Sequence, residues 1–309
     1  MKTVRIHQYG DVDVLKFEEI PVPQIASDEV LIKIHATSIN PLDWKVREGF
    51  MKETNLHKLP LTLGWDCSGT IEKTGTLVTD FRVGDDVYCR PPTERDGSYA
   101  EYIAVKASEV ALKPRTITYV EAASIPLAGI AAWETLINKA NIRSGQRILI
   151  LRASGGVGSL AVQIAKARGC YVIGTTSESN LNFVKGLGAD EVFGYEKMDF
   201  SEHLTNIDVV MDTIGGAVQE KAFKVLKRGG IMVSIINKPS FEFASKYGVR
   251  CEYVSLGPSA PILNELRELI DKGKVKPVVD KVYKFEEVKQ AQIYSQSGKA
   301  RGKIVLKVA

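Results

Sequence analysis

The chain has 309 residues, 44% hydrophobic and 25% charged, an ordinary globular composition with enough length for two separate cores. Lys and Arg number 41 against 37 Asp and Glu, and the resulting +4 is spread along the chain; no basic block follows a nucleic-acid backbone, so no specific nucleic acid is expected as a partner. The first residues, MKTVRIHQYG, hold no apolar signal core, and no stretch approaches the ~18 uncharged apolar residues of a membrane span, so the expectation is a cytoplasmic protein with no membrane partner. Cys67, Cys89, Cys170 and Cys251 make no CxxC pair, and the four histidines are equally scattered, so no metal site and no disulfide framework is indicated.

Taken in chain order, residues 1–124 hold short β-type runs, EVLIKIHAT, GTIEKTG, DDVYCR and SYAEYIAV, punctuated by Gly, Pro and Asp. Such runs predict a folded-up, mostly antiparallel sheet. From 125 to 257 the rhythm changes: RILILRA, a helix over 157–168, CYVIGT, EVFGY, DVVMDT, a helix near 217–227, GIMVSII and CEYVSL. Strand and helix alternating at this length predict a parallel sheet with helices on both faces. Residues 258–309 follow, with the amphipathic ILNELRELIDKG, then VVDKVYKF, another helix and the strand KIVLKV. This tail is expected to complete the first domain. The fold class is therefore α/β, a parallel-sheet domain beside a β-rich one.

The stretch LRASGGVGSL, 151–160, lies between the first strand and first helix of the parallel domain. Ala153, Gly155 and Gly158 stand at the three glycine places of the Rossmann dinucleotide fingerprint, with Gly156 as an extra. A glycine at 155 lets a pyrophosphate approach the backbone, Gly158 lets helix and strand pack closely, and helix-start N–H groups face the anion. A tight structural turn also wants glycines; the position after the first strand selects the nucleotide reading. At the end of the second strand, where an NAD site places an acid, stand Thr175, Thr176 and Ser177, which favours NADPH, with Glu178 one turn later as the counter-argument.

SINPLDWKVREG (38–49), GWDCSG (64–69), GSYAEY (97–102), SIPLAGIAAWETL (124–136), ASGGVGSLAVQIAK (153–166) and GKARGKIVL (298–306), in this order, resemble the zinc-independent quinone reductases and alkenal or enone reductases of the medium-chain dehydrogenase/reductase superfamily. The resemblance implies a GroES-like β domain, a Rossmann domain, a cofactor in the cleft between them, and a homodimer joined at edge strands, for which CEYVSL is the candidate. It also implies that Ser154, Gly155, Gly156, Val157 and Gly158 form the pyrophosphate turn, that Thr176 and Ser177 surround the adenine ribose, and that Tyr195 lies near the adenine. Relatives often carry a Lys near the place of Asn180; here Arg152 or Lys197 would have to supply that cation. At the nicotinamide end, Ile214 and Gly215 follow one strand and Ile235 and Asn237 another, at the strand C-termini where ligands of open α/β sheets lie.

Zinc alcohol dehydrogenases of this superfamily hold their metal with a Cys and a His-Glu pair, where this chain has Asn40 and Trp65-Asp66. Without a Lewis acid an unactivated alcohol is a poor substrate, whereas hydride addition to a conjugated carbonyl or quinone leaves a delocalised enolate that needs only hydrogen-bond donors. Asn40 and Lys45 are the expected donors, Asp43 the residue that orients their loop, and Trp44, Phe50 and Trp65 an apolar substrate wall. Two other readings stay open: a non-catalytic NADPH-binding protein, and a Rossmann-like methyltransferase.

Overall fold

Alternate apolar residues make the opening segment a strand, β1 (Lys2–Ile6), whose Val4 and Ile6 are buried. It is followed by β2 (Lys16–Glu19), β3 (Glu29–Ile39), helix α1 (Pro41–Arg47) and β4 (Leu61–Thr62); β1 pairs antiparallel with both β2 and β4. Pro41 opens α1 at the helix position that needs no backbone donor, which is why the chain leaves β3 directly into a helix. Next come β5 (Cys67–Thr74), β6 (Asp86–Cys89), β7 (Tyr102–Lys106) and β8 (Val110–Leu112), antiparallel partners in a sheet centred on β3. Short helices α2 (Tyr119–Ala123) and α3 (Pro126–Trp133) close this run. The structure is a computed structural model that describes residues 1–309, and the chain divides into two units. The first comprises Met1–Leu127, Gly257–Asp271 and Pro277–Ala309, and the second Ala128–Leu256 and Lys272–Lys276.

The second unit alternates β9 (Arg147–Ile150), α4 (Gly156–Ala167), β10 (Tyr171–Thr176), α5 (Leu181–Gly186), β11 (Glu191–Gly194), α6 (Phe200–His203), β12 (Ile207–Asp212), α7 (Gly216–Val225), β13 (Leu226–Ser234), α8 (Phe241–Tyr247) and β14 (Arg250–Tyr253). All its strand pairs are parallel, in the order β11-β10-β9-β12-β13-β14. The chain therefore winds outward from β9 to one edge, then returns to β12 and winds to the other. Ligands of such sheets lie at this reversal, outside the carboxyl ends of the strands. Leu149, Ile173, Val210, Phe223 and Met232 pack into one buried cluster in this unit. Gln163 on α4 clamps Lys276 by two bonds, its Oε1 accepting from the backbone N–H at 2.8 Å and its Nε2 donating to the carbonyl at 2.9 Å, so Lys272–Lys276 belongs with this unit.

The tail returns with α9 (Ala260–Asp271), β15 (Val279–Lys284), α10 (Val288–Gln296) and β16 (Lys303–Lys307). Strand β16 pairs antiparallel with β3, Ile304 opposite Ile39, and parallel with β15, so the last strand fills a place beside the longest strand of the first unit. In this unit the β-rich sheet and the returning tail meet through β3 and β16, while Lys272–Lys276 of the tail belongs to the other unit.

Close packing explains one glycine of the 151–160 turn. A Cβ on Gly158 would lie 2.3 Å from the Arg152 carbonyl oxygen and 2.8 Å from the Ala153 Cα, inside van der Waals contact with backbone that cannot rotate away. Gly158→Ala should therefore cost about 1–3 kcal/mol of folding stability, as overpacked cores do. Urea denaturation checks this; an unchanged midpoint would mean that α4 moves off β9 without penalty.

Candidate functional site

In the second unit, Arg152 adopts φ +55 and turns the chain out of β9, and Gly155 caps α4 in an extended conformation. The N–H groups of Gly156, Val157 and Gly158 begin the helix, where no intrahelical acceptor exists. A Cβ on Gly155 would sit 3.4 Å from the nearest atom, the Arg152 carbonyl oxygen, which is ordinary contact. Internal packing thus accounts for Gly158 and not for Gly155. Space over the backbone, beside helix-start donors, is the feature a pyrophosphate needs, and the turn fits a dinucleotide.

Around it, β10 ends in hydroxyls. Thr176, wholly buried, donates to the Ser154 Oγ at 2.8 Å, and Asn180 Nδ2 donates to the Ser177 Oγ at 3.0 Å and toward that of Ser154 at 3.4 Å. The structure thus joins Ser154, Thr176, Ser177 and Asn180, four predicted residues from two loops, into one polar cluster. Glu178 pairs with Lys197 at 3.4 Å, and its backbone N–H donates to the Glu196 carboxylate at 2.6 Å. Lys197, proposed from sequence as a phosphate cation, is here the partner of Glu178. Tyr195 donates its backbone N–H to the Thr176 carbonyl at 3.0 Å and leaves its ring largely exposed.

At the next strand ends Asp212 is wholly buried and accepts four bonds: from the backbone N–H groups of Ile214 and Gly215, both 2.9 Å, from Gln219 Nε2 at 2.7 Å and from the Ser234 hydroxyl at 2.8 Å. This carboxylate holds Gly215 at φ +79 and so shapes the turn that carries the exposed Ile214. Ile235 donates its N–H to the Asp212 carbonyl at 3.2 Å, and the exposed Asn237 accepts from Gln219 at 3.4 Å. Sequence reasoning missed Asp212; an acid directly after the apolar run VVM at a strand end was its one signal.

In the first unit Asn40 stands between β3 and α1. Its backbone N–H donates to Asp43 Oδ2 at 2.7 Å, one half of a capping box at the start of α1, and its side-chain amide makes further bonds. That amide donates to Asp66 Oδ2 at 2.7 Å and accepts from the Lys303 ammonium. Asp66 also accepts from the Ser38 hydroxyl at 2.6 Å and, through Oδ1, from the Leu127 N–H at 2.6 Å. Lys303 reaches Asp66 Oδ2 and the Ile39 carbonyl at 3.3 and 3.2 Å. Sequence reasoning missed Lys303, whose signal was a lysine at the head of the apolar strand KIVLK.

Asp43 is wholly buried and accepts from the Tyr99 hydroxyl at 2.8 Å, while its Oδ1 has no partner. Burial raises its pKa to about 7 against the lowering effect of those bonds and of the Lys303 charge. Lys45, on α1, lies 5.8 and 5.6 Å from the ring centroids of Trp44 and Phe50, in cation–π range of both. Phe50 is 75% exposed, and the Trp44 indole donates to Ser295 at 3.3 Å. Trp65 is different: it is wholly buried in the cluster with Val4, Ile6 and Leu63 and has no surface to offer a substrate wall. Its place between β4 and β5 turns it into the core.

The donor set at Asn40 and Asp66 does not fit zinc, because an ammonium faces both oxygen ligands and Asp66 already accepts four bonds. No three His, Cys, Asp or Glu side chains are grouped to hold a metal ion elsewhere.

Comparison with known proteins agrees with this architecture. Residues 26–115 match the alcohol dehydrogenase GroES-like domain, and 187–306 match the model described as zinc-binding dehydrogenase. The chain is 38% identical to the 2-methylene-furan-3-one reductase of Solanum lycopersicum over 320 residues, 99% of this chain and 79% of that protein. It is likewise 38% identical, with the same coverage, to the chloroplastic NADPH-dependent alkenal/one oxidoreductase of Arabidopsis thaliana. The solved quinone oxidoreductase of Coxiella burnetii superposes with a TM-score of 0.94 at 32% identity, covering 100% of this chain and 99% of that one. With fold, nucleotide turn and full-length identity in agreement, the chain belongs to the quinone oxidoreductase and alkenal/enone reductase family of the medium-chain dehydrogenases/reductases, enzymes of oxidoreduction.

Proposed function

We propose that this oxidoreductase uses NADPH to reduce quinones or the C=C bond of α,β-unsaturated carbonyls, without zinc. The observation that carries the reading is Asn40, a neutral amide held between Asp66 and Lys303 where a metal-dependent relative would need metal ligands. Bound NADPH supplies a hydride. Gly155 and the start of α4 receive its pyrophosphate, and Thr176, Ser177 and Asn180 offer donors to the 2′-phosphate, while Lys197 offsets the Glu178 charge. Ile214, Gly215, Ile235 and Asn237 line the nicotinamide end, on turns set by Asp212. Lys45 and Asn40 donate to the substrate oxygen as negative charge develops on it, and Asp43 holds the β3–α1 junction that presents them. Trp44 and Phe50 give the apolar wall, with Trp65 contributing only through the core.

A homodimer paired through the exposed edge strand β14 and a cytoplasmic setting belong to the same reading; no helix is long and apolar enough to cross a membrane. A non-catalytic nucleotide-binding role is the outcome favoured if NADPH binds and no acceptor is reduced.

After exhaustive chelation the protein should still oxidise NADPH with but-3-en-2-one, and Lys45→Ala should lower kcat by about 10- to 1,000-fold with little change in NADPH affinity. Stopped-flow and steady-state assays check both; loss of turnover on zinc removal, or a change confined to NADPH binding, would refute the respective role. Fluorescence titration should show NADPH binding more tightly than NADH by a modest ratio, since Asn180 carries no charge, Lys197 is paired with Glu178 and the Glu178 carboxylate is close by. Equal affinities would remove the hydroxyl cluster from that role.

Asp43 makes the fold depend on pH. Its folded pKa, about 7, lies above the unfolded value of 3.8, so the folded state holds the proton more tightly. The stability this contributes is full below about pH 4 and is lost as pH rises through 7. Asn keeps an acceptor for Tyr99 and the Asn40 N–H, so Asp43→Asn should gain stability relative to the unmodified chain as pH rises from 4 to 8, by a few kcal/mol. Urea midpoints across that range measure it; parallel curves would exclude the shift.

A further inference from the structure

An asparagine amide can usually be turned over at little cost, because its oxygen and nitrogen ends have the same shape. Here the neighbours forbid it. Lys303 only donates and Asp66, as a carboxylate, only accepts. The Asn40 oxygen faces the ammonium and its nitrogen faces the carboxylate at 2.7 Å. The reverse orientation would set N–H against ammonium and oxygen against carboxylate in a site where Asn40, Asp66 and Lys303 are 2%, 0% and 5% exposed, so water could not relieve either clash.

The rest of the network leaves no slack. The three ammonium hydrogens of Lys303 go to Asn40, Asp66 and the Ile39 carbonyl. Asp66 is held independently by Ser38 and the Leu127 N–H. The Asn40 backbone N–H is taken separately by Asp43, so the backbone at the junction is fixed as well as the side chain. Asn40 Nδ2 carries two hydrogens and gives one to Asp66, so the direction of the second is set by the plane of the locked amide.

We propose that Lys303 and Asp66 are positioning residues that lock the Asn40 amide in one orientation, so that its second Nδ2 hydrogen is a preorganised donor to the oxygen of the carbonyl substrate. This rests on the reductase reading given above. A donor fixed before reaction needs no reorientation as charge develops, which is the condition under which such donors accelerate a reaction.

The test uses the full chain with saturating NADPH and but-3-en-2-one. Three variants are compared: Asn40→Ala, the paired Lys303→Met/Asp66→Asn, and all three substitutions together. The pair removes both charges at once and so leaves neither buried without its partner. The pair should lower kcat by about 10- to 100-fold with NADPH affinity unchanged, and Asn40→Ala should lower it similarly. Combining them should add no more than about 2-fold, since both act through one hydrogen bond. Losses that multiply, or a pair variant with undiminished kcat, would overturn the positioning role while leaving Asn40 as donor. Undiminished kcat in Asn40→Ala would overturn the donor and, with it, its positioning.

Should the pair variant fail to fold, the unmodified NADPH complex decides. In 15N-labelled protein, saturating butan-2-one should shift one of the two Asn40 side-chain N–H signals and leave the Asp66-bonded one in place. Equal shifts, or exchange between the two signals, would mean the amide is not locked.

Discussion

The ion pair of Lys303 with Asp66 organises the first unit. It joins two residues 237 apart in sequence, one just before β5 and one at the head of β16, and the carboxylate is wholly buried while the ammonium is nearly so. Removing two charges from water is costly and is offset only when every remaining donor and acceptor finds a partner. That requirement reaches outward. Ser38 from β3, Asn40 from the β3–α1 junction, Leu127 from α3 and the Ile39 carbonyl are each drawn to the pair. The same bonds that satisfy the charges fix the junction from which α1 and Lys45 depart.

In the second unit a different constraint governs. The turn after β9 must bring helix and strand into contact and still leave its backbone open on one side. Two glycines answer separately: a side chain at Gly158 would strike the preceding loop, whereas one at Gly155 would have room. Asp212 repeats the principle at the neighbouring strand end, where one carboxylate takes four donors and holds a left-handed glycine in place. Buried carboxylates of the two units thus serve as anchors for backbone turns.

Much of this was legible in the residues. Alternation and punctuation marked the β-rich runs, and strand-helix rhythm marked the parallel sheet, because each depends on local periodicity. The glycine turn before α4 was readable since its glycines and its place after a strand are neighbours in sequence. Lys303 was not, because its role exists only once β16 lies against β3, and an isolated lysine in a sequence reads as solvated. Trp65 misled for the complementary reason: an aromatic next to a functional acid suits a pocket or a core equally well, and only packing against Val4 and Leu63 distinguishes them. Lys197 likewise required three dimensions, its pairing with Glu178 bridging two loops.

The position of β16 has a consequence for how the chain is made. Strands β1 through β8 leave the ribosome first, but the ammonium that neutralises Asp66 and the strand that covers the edge of β3 lie at 303–307. Nascent chains of the first unit therefore carry an uncompensated acid and an unpaired strand edge until residues 303–307 have emerged, and such edges are where chains pair wrongly. The second unit, almost continuous over 128–256, can condense in the meantime. A chain cut before Lys303 would thus keep every strand of the parallel sheet and lose both the partner of Asp66 and the strand beside β3.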